Sequence, residues 1–279
     1  MIFQPKSVQD ICQFVQENDN LYPQGGGTKR ALIGSGQMVD MSALSGIIDY
    51  QPDEYVFTAY AGTSHKEINE TLQNQGQFLP FDPLYINEGT TIGGTIAANT
   101  CGPGRFRYGG IRDYILRIGI VDGEGRAFNG GEKVVKNAAG FDLPKFFVGS
   151  RGKFGIITEA SFKVFPMPPA SLGIIVQFHN LQTAYEALLQ LGRSSFDIHA
   201  LDLFPTQNDR YQLFIRLSGL PQALQERGER LVAFLRECTN NQTDISFQLP
   251  ENDLSKWKEA ISINPASGKE WLFQVAISL

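Results

Sequence analysis

The sequence is poor in the residues that build metal and disulfide frameworks. Its three cysteines, Cys12, Cys101 and Cys238, lie far apart and form no CxxC pair, which argues against a disulfide network or a zinc site. An iron–sulfur cluster held by this chain alone is not expected either, because such clusters usually take four thiolates. No metal site is therefore predicted. Histidine occurs three times, at His65, His179 and His199. No apolar run reaches the length of a membrane-spanning helix, and the opening Met1-Ile2-Phe3-Gln4-Pro5-Lys6 turns polar too soon for a secretory signal. The expectation is a cytoplasmic protein. A basic excess is also missing. Lys and Arg number 24 against 29 Asp and Glu, for a net charge of −5, so nothing here has the electrostatic footprint of a nucleic-acid binder.

What is present is an ordinary globular composition, 42% apolar and 19% charged over 279 residues, which is enough chain for two modest domains. Ser7 with Asp10 reads as a capping box, and Val8, Ile11, Cys12 and Val15 follow at helical spacing. After a short apolar step at Leu21-Tyr22, strands are expected at residues 38–41, 47–50 and 55–61, with Pro52-Asp53 as a turn. Ser64 and Glu67 form a second capping box; Ile68 and Leu72 are the buried stripe of its helix and Gly76 its end. Residues 78–110 read as loop, apart from the small-residue stretch of residues 93–99. A hairpin closed at Asp122-Gly123 joins strands at 116–121 and 126–128, and a further strand covers 160–165.

Pro166, Pro168 and Pro169 mark the clearest boundary. Beyond them the pattern gives a strand at 172–178, a helix at 182–191, strands at 198–204 and 212–217, a helix at 222–238 and a strand near 245–249. That order is the ferredoxin-like split unit. A helix near 254–261 and a strand at 271–277 follow, and the chain stops at Leu279 on that strand, so a closing segment is expected to be missing. This second region carries no motif that attaches to chemistry.

The glycines are more informative. Gly25-Gly26-Gly27 follows the short apolar step, and glycine loses the most conformational freedom on folding. Either the loop turns tightly, or bare backbone lets a ligand approach consecutive N–H groups. It is not a P-loop, since Thr28-Lys29 stand at the wrong spacing. Gly149, Gly152 and Gly155 lack the strand–turn–helix context of a dinucleotide fingerprint. A second loop of matching character, Thr91-Ile92-Gly93-Gly94, leads into Ala97-Ala98-Asn99, where a helix start would aim N–H groups at an anion. Two such loops would grip one pyrophosphate from both sides; close packing of backbone is the alternative for the second.

These stretches, with Tyr108-Gly109, Arg112-Asp113, Lys136-Asn137-Ala138-Ala139-Gly140-Phe141-Asp142-Leu143-Pro144-Lys145 and Gly149-Ser150-Arg151-Gly152-Lys153-Phe154-Gly155-Ile156-Ile157-Thr158, stand in order across the first 166 residues. Together they resemble the FAD domain of the vanillyl-alcohol oxidase superfamily, and within it the FAD-binding E subunits of bacterial glycolate oxidases. The resemblance implies an α+β fold: a two-lobed PCMH-type FAD-binding domain over residues 1–168, then a smaller ferredoxin-like, cap-like α+β domain over 169–279. It implies that Gly25, Gly26, Gly27 and Thr28, next to Pro23, supply amides to the FAD pyrophosphate. Gly93 and Gly94 would do so from the other side, with Thr91 and Asn99 nearby, and backbone of Gly155 and Ile157 would line the adenine or flavin end.

Many superfamily members attach FAD through a His in the first loop. Residues 24–31 contain none, so a noncovalent FAD is expected; Cys101 after the second loop is an alternative linkage, read here as a small buried thiol. The implied partners are a homologous flavoprotein subunit, an iron–sulfur subunit and a small 2-hydroxy acid. Catalytic residues are left unassigned, because the family's His-x-Gly-Asp-Gly-Asn and Asn-Pro-Gly segments have no counterpart. The three histidines read as structural or solvated, and Arg105, Arg107 and Arg112 either face an anion or are solvated. Three functions stay open: a flavin-binding subunit of a glycolate oxidase complex, a self-sufficient FAD-dependent 2-hydroxy-acid dehydrogenase, and a cofactor-free structural subunit.

Overall fold

A computed structural model describes residues 2–29, 36–132, 141–206, 210–239 and 244–248, the last stretch by backbone alone. Residues 136–140 of the family-like block, the helix expected near 254–261 and the strand expected at 271–277 lie outside them. The chain forms two compact units. One comprises residues 1–102 and 109–167, the other residues 103–108 and 168–279.

In chain order the elements are β1 (Ile2–Phe3), α1 (Val8–Glu17), β2 (Leu21–Gln24), β3 (Gln37–Asp40), β4 (Ile47–Gln51), β5 (Val56–Tyr60), α2 (His65–Gln73), β6 (Gln77–Phe78) and α3 (Ile92–Ala98). Then come α4 (Arg105–Tyr108), β7 (Ile115–Val121), β8 (Ala127–Gly131), α5 (Leu143–Phe147), β9 (Ile156–Lys163) and β10 (Phe165–Pro166). All but α4 belong to the first unit. Its two main sheets are a parallel one in the order β1-β3-β2 and an antiparallel one in the order β4-β5-β9-β7-β8.

The local signals act as their chemistry requires. Ser7 Oγ accepts the Asp10 N–H at 3.1 Å and Asp10 accepts the Ser7 N–H at 3.0 Å, which starts α1 and turns Ile11 wholly inward. On α2 only half of the expected box forms among the described residues. Ser64 Oγ accepts the Glu67 N–H at 3.2 Å, while Ser64 itself bridges to Thr91 of the second loop. Alternation builds the antiparallel sheet. Phe57 and Phe162 are register partners with rings 5.9 Å apart, and their neighbours Thr58 and Ser161 share a buried hydrogen bond of 2.8 Å, so that face buries no unpaired hydroxyl at this pair.

Two expectations are corrected here. The hairpin is closed not by a two-residue turn but by residues 122–126, because the Asp122 carboxylate accepts the N–H groups of Glu124 and Arg126 and holds a longer loop. The strand expected at 160–165 begins earlier, at Ile156, and as β9 runs unbroken to Lys163.

The second unit contains α4, β11 (Ala170–Phe178), α6 (Leu181–Gly192), β12 (Ala200–Pro205), β13 (Tyr211–Gly219), α7 (Pro221–Cys238) and β14 (Asp244–Gln248). Its sheet has the order β12-β13-β11-β14 and is antiparallel at every pairing, which is the ferredoxin-like arrangement. Leu172, Ile174, Val176 and Phe178 alternate onto one face of β11 and pack with Leu191 of α6 and Leu231 of α7 in one buried cluster. Among the described residues, no helix is long and apolar enough to cross a membrane.

Candidate functional site

Three loops of the first unit meet around a single cleft. The first leaves β2 at Gln24 and runs through Gly25, Gly26, Gly27 and Thr28. Residues 89–94, the second, enter α3. Residues 149–155 form the third and lead into β9.

Glycine is needed where these loops touch one another. A Cβ on Gly25 would overlap Thr91 Oγ1, one on Gly26 the Gly89 carbonyl oxygen, and one on Gly152 would stand 2.8 Å from Pro23 Cγ. Gly27 adopts a left-handed φ of +64°, which glycine takes without strain. The third loop is also tied to the end of α3, where the Ile96 and Ala97 carbonyls accept the N–H groups of Gly149 and Arg151 at 2.9 and 3.0 Å.

The cleft they enclose is open to solvent, with about 820 Å³ of space between its walls, open solvent included. Of the cofactor-binding residues that the resemblance implies, all but Asn99 line it. Asn99 instead caps the far end of α3 in the left-handed conformation, with φ +54°.

The two walls differ in what they offer. On the second loop the amides are already used. Gly93 donates to the Ala61 carbonyl at 2.9 Å and Gly94 to Thr91 Oγ1 at 3.2 Å. Close backbone packing accounts for Gly93, whose Cβ would stand 2.7 Å from that of Ala61. On the first loop, the N–H groups of Gly25, Gly26, Gly27 and Thr28 have no acceptor among the described residues. Orphaned donors on a concave surface fit an anion.

Beside them stands a residue that the sequence reading did not select. Lys29 Nζ donates to Thr90 Oγ1 at 2.9 Å and to Thr28 Oγ1 at 3.2 Å, and lies 5.7 Å from the Tyr85 ring centre. Burial lowers its pKa to about 8. His65 of α2 is fully buried and bonds Thr95 Oγ1 at 2.9 Å; burial first, and the Lys29 charge second, push its pKa down to about 3. It is therefore a neutral core imidazole. The signal for Lys29 was its position directly after a glycine loop, but nothing local announces that a lysine will be partly buried.

The remaining sequence candidates stand elsewhere. Arg105, Arg107 and Arg112 do not line the cleft. Arg107 pairs with Asp197 inside the second unit, where Arg227 pairs with the same carboxylate. His199 Nδ1 shares a hydrogen bond of 2.8 Å with the Tyr108 hydroxyl, and burial holds its pKa below the usual value. His179 is exposed at the end of β11. Among the described residues no His or Cys lines the cleft, Cys101 being wholly buried outside it, and no cluster of His, Cys, Asp and Glu is arranged to hold a metal. Its free loop N–H groups and the Lys29 ammonium suit an anion, and among its described lining residues it presents no evident nucleophile–base pair.

Residues 1–131 match the family described as FAD binding domain. The chain is 35% identical over 215 residues to glycolate oxidase subunit GlcE of Escherichia coli (strain K12), an alignment that takes in 76% of this chain and 59% of that protein. It is 27% identical over 197 residues to glycolate oxidase subunit GlcD of Bacillus subtilis (strain 168), over 67% of this chain and 41% of that one. It thus spans about half the length of these relatives. Among solved structures, an alkyldihydroxyacetonephosphate synthase superposes with a TM-score of 0.75 at 19% identity, over 94% of this chain and 54% of the synthase. That likeness establishes the fold.

Proposed function

We propose that this chain, whose residues 1–131 match the FAD binding domain family, is the flavin-binding subunit of a glycolate oxidase complex. The observation that carries this reading is the glycine cleft, with free loop N–H groups and a cation at one end. Gly25, Gly26, Gly27 and Thr28 hold the FAD pyrophosphate through their N–H groups. Gly93 and Gly94 form the opposite wall by close packing, since their own N–H groups are committed. Thr91 caps α3 and fixes that wall, and backbone at Gly155 and Ile157 lines the adenine or flavin end. Asn99 sets the C-terminal end of α3 rather than touching the cofactor. With no His or Cys among the described lining residues, the cofactor is held noncovalently.

Bound FAD supplies a two-electron acceptor for oxidation of a small 2-hydroxy acid. The cleft itself presents cofactor-binding groups and no evident acid–base pair, so we assign substrate oxidation mainly to a homologous flavoprotein partner, with an iron–sulfur subunit taking the electrons onward. The likeness to both GlcE and GlcD supports an assembly of two related flavoprotein chains.

The test is the visible spectrum of the FAD-loaded chain before and after anaerobic glycolate, alone and with the two partner subunits. Flavin bands that persist alone and bleach only with partners are expected. Bleaching of the isolated chain would make it a self-sufficient dehydrogenase, and absence of flavin even in the complex would leave it a structural subunit.

A further inference from the structure

Lys29 is a cation that the fold leaves unanswered. Its ammonium is partly withdrawn from water, held by Thr28 and Thr90 and set against the Tyr85 ring, and no carboxylate pairs with it among the described residues. A charge removed from water without a counter-charge is unfavourable. An arrangement of this kind persists most readily where a ligand brings the missing charge. The free N–H groups of the first loop stand in the same cleft.

We propose that Lys29 is the counter-charge of the cofactor's pyrophosphate, so that the ligand completes an ion pair which the polypeptide leaves open. The inference rests on the FAD-binding reading of the cleft and adds to it a side chain and a charge requirement.

A proton linkage follows. Burial lowers the Lys29 pKa to about 8 in the free chain. Four titratable groups lie on the segments around the cleft wall where it stands. His65 is neutral at any pH well above about 3. The Tyr85 phenol has its pKa raised, by burial first and then by the exposed Glu88. Arg151 lines the same cleft. An arriving phosphate charge favours the protonated ammonium and raises its pKa. The complex therefore keeps a proton that the free chain gives up above pH 8. Binding is tightest below that pH and weakens as pH rises, by at most about tenfold per unit.

The experiment measures the dissociation constant of FAD at pH 7 and pH 9.5 for the full chain and for Lys29→Met and Lys29→Arg, with apo melting temperatures as the folding control. At pH 7, Lys29→Met is expected to bind about 10–100-fold more weakly and to show no pH dependence. The unsubstituted chain weakens toward the Met variant at pH 9.5, whereas Lys29→Arg stays tight at both, because arginine keeps its charge. The inference is overturned if Lys29→Met binds FAD as tightly as the unsubstituted chain. It is equally overturned if Lys29→Arg shows the same alkaline decline. A chain that binds no FAD at either pH would remove the cofactor reading itself, and this inference with it. Loss of the Lys29 contrast alone would leave FAD binding standing.

Discussion

At Gly26 the surroundings leave no space for even a methyl group, since a Cβ would overlap the Gly89 carbonyl oxygen. Gly26→Ala should spread the first and second loops, cost about 1–3 kcal/mol of stability and weaken FAD binding. Gly123→Ala, where a Cβ meets nothing within 4 Å, should leave both unchanged in paired melting and titration experiments. His65 carries a second residue-level prediction. Its folded pKa of about 3 lies below the ordinary histidine value of 6.5, so the stability it contributes is fully present above pH 6.5 and is lost as pH falls toward 3. Denaturant unfolding should show a decline of at most about 1.4 kcal/mol per pH unit between those limits, and His65→Gln should flatten that slope; an equal slope in the variant would refute the assignment. The glycine loops were legible in the sequence, but the reason for each glycine was not. Both a ligand and a neighbouring loop exclude a side chain, and only the fold shows that Gly25, Gly26 and Gly93 answer to neighbouring chain while the first loop's N–H groups stay free. The burial of Lys29 was not legible, because it comes from Thr90 and Tyr85, some sixty residues away in sequence.

Elements whose cause is local were read well. The α1 capping box and the alternation in β11 are set by residues within one turn or one strand of each other. Ser7→Ala should remove the cap and cost about 1 kcal/mol, visible as a lowered melting temperature with FAD affinity unchanged, since α1 supplies nothing to the cleft. What sequence pattern cannot supply is the strand order β4-β5-β9-β7-β8, which brings residues about a hundred positions apart into register. The same limit applies to α2. Its expected return bond is absent among the described residues, and Ser64 bridges instead to Thr91 in the loop that closes the cleft.

For the whole molecule, the division of labour is the main conclusion. The first unit contains the cleft, built from three loops that only its sheets bring together. The second unit is a ferredoxin-like sheet whose polar cluster of Arg107, Asp197, Arg227, His199 and Tyr108 fastens α4 to it. No local pattern marks that excursion of residues 103–108, because the carboxylate that receives Arg107 lies ninety positions later. Reversible uptake of FAD by the cleft is the central claim. Its most direct test is titration of the purified full chain with FAD, followed by denaturation and separation of protein from small molecules. Saturation at one flavin per chain, with all the flavin released on unfolding, is the predicted result. No uptake of FAD, or flavin that stays attached to the unfolded chain, would contradict it.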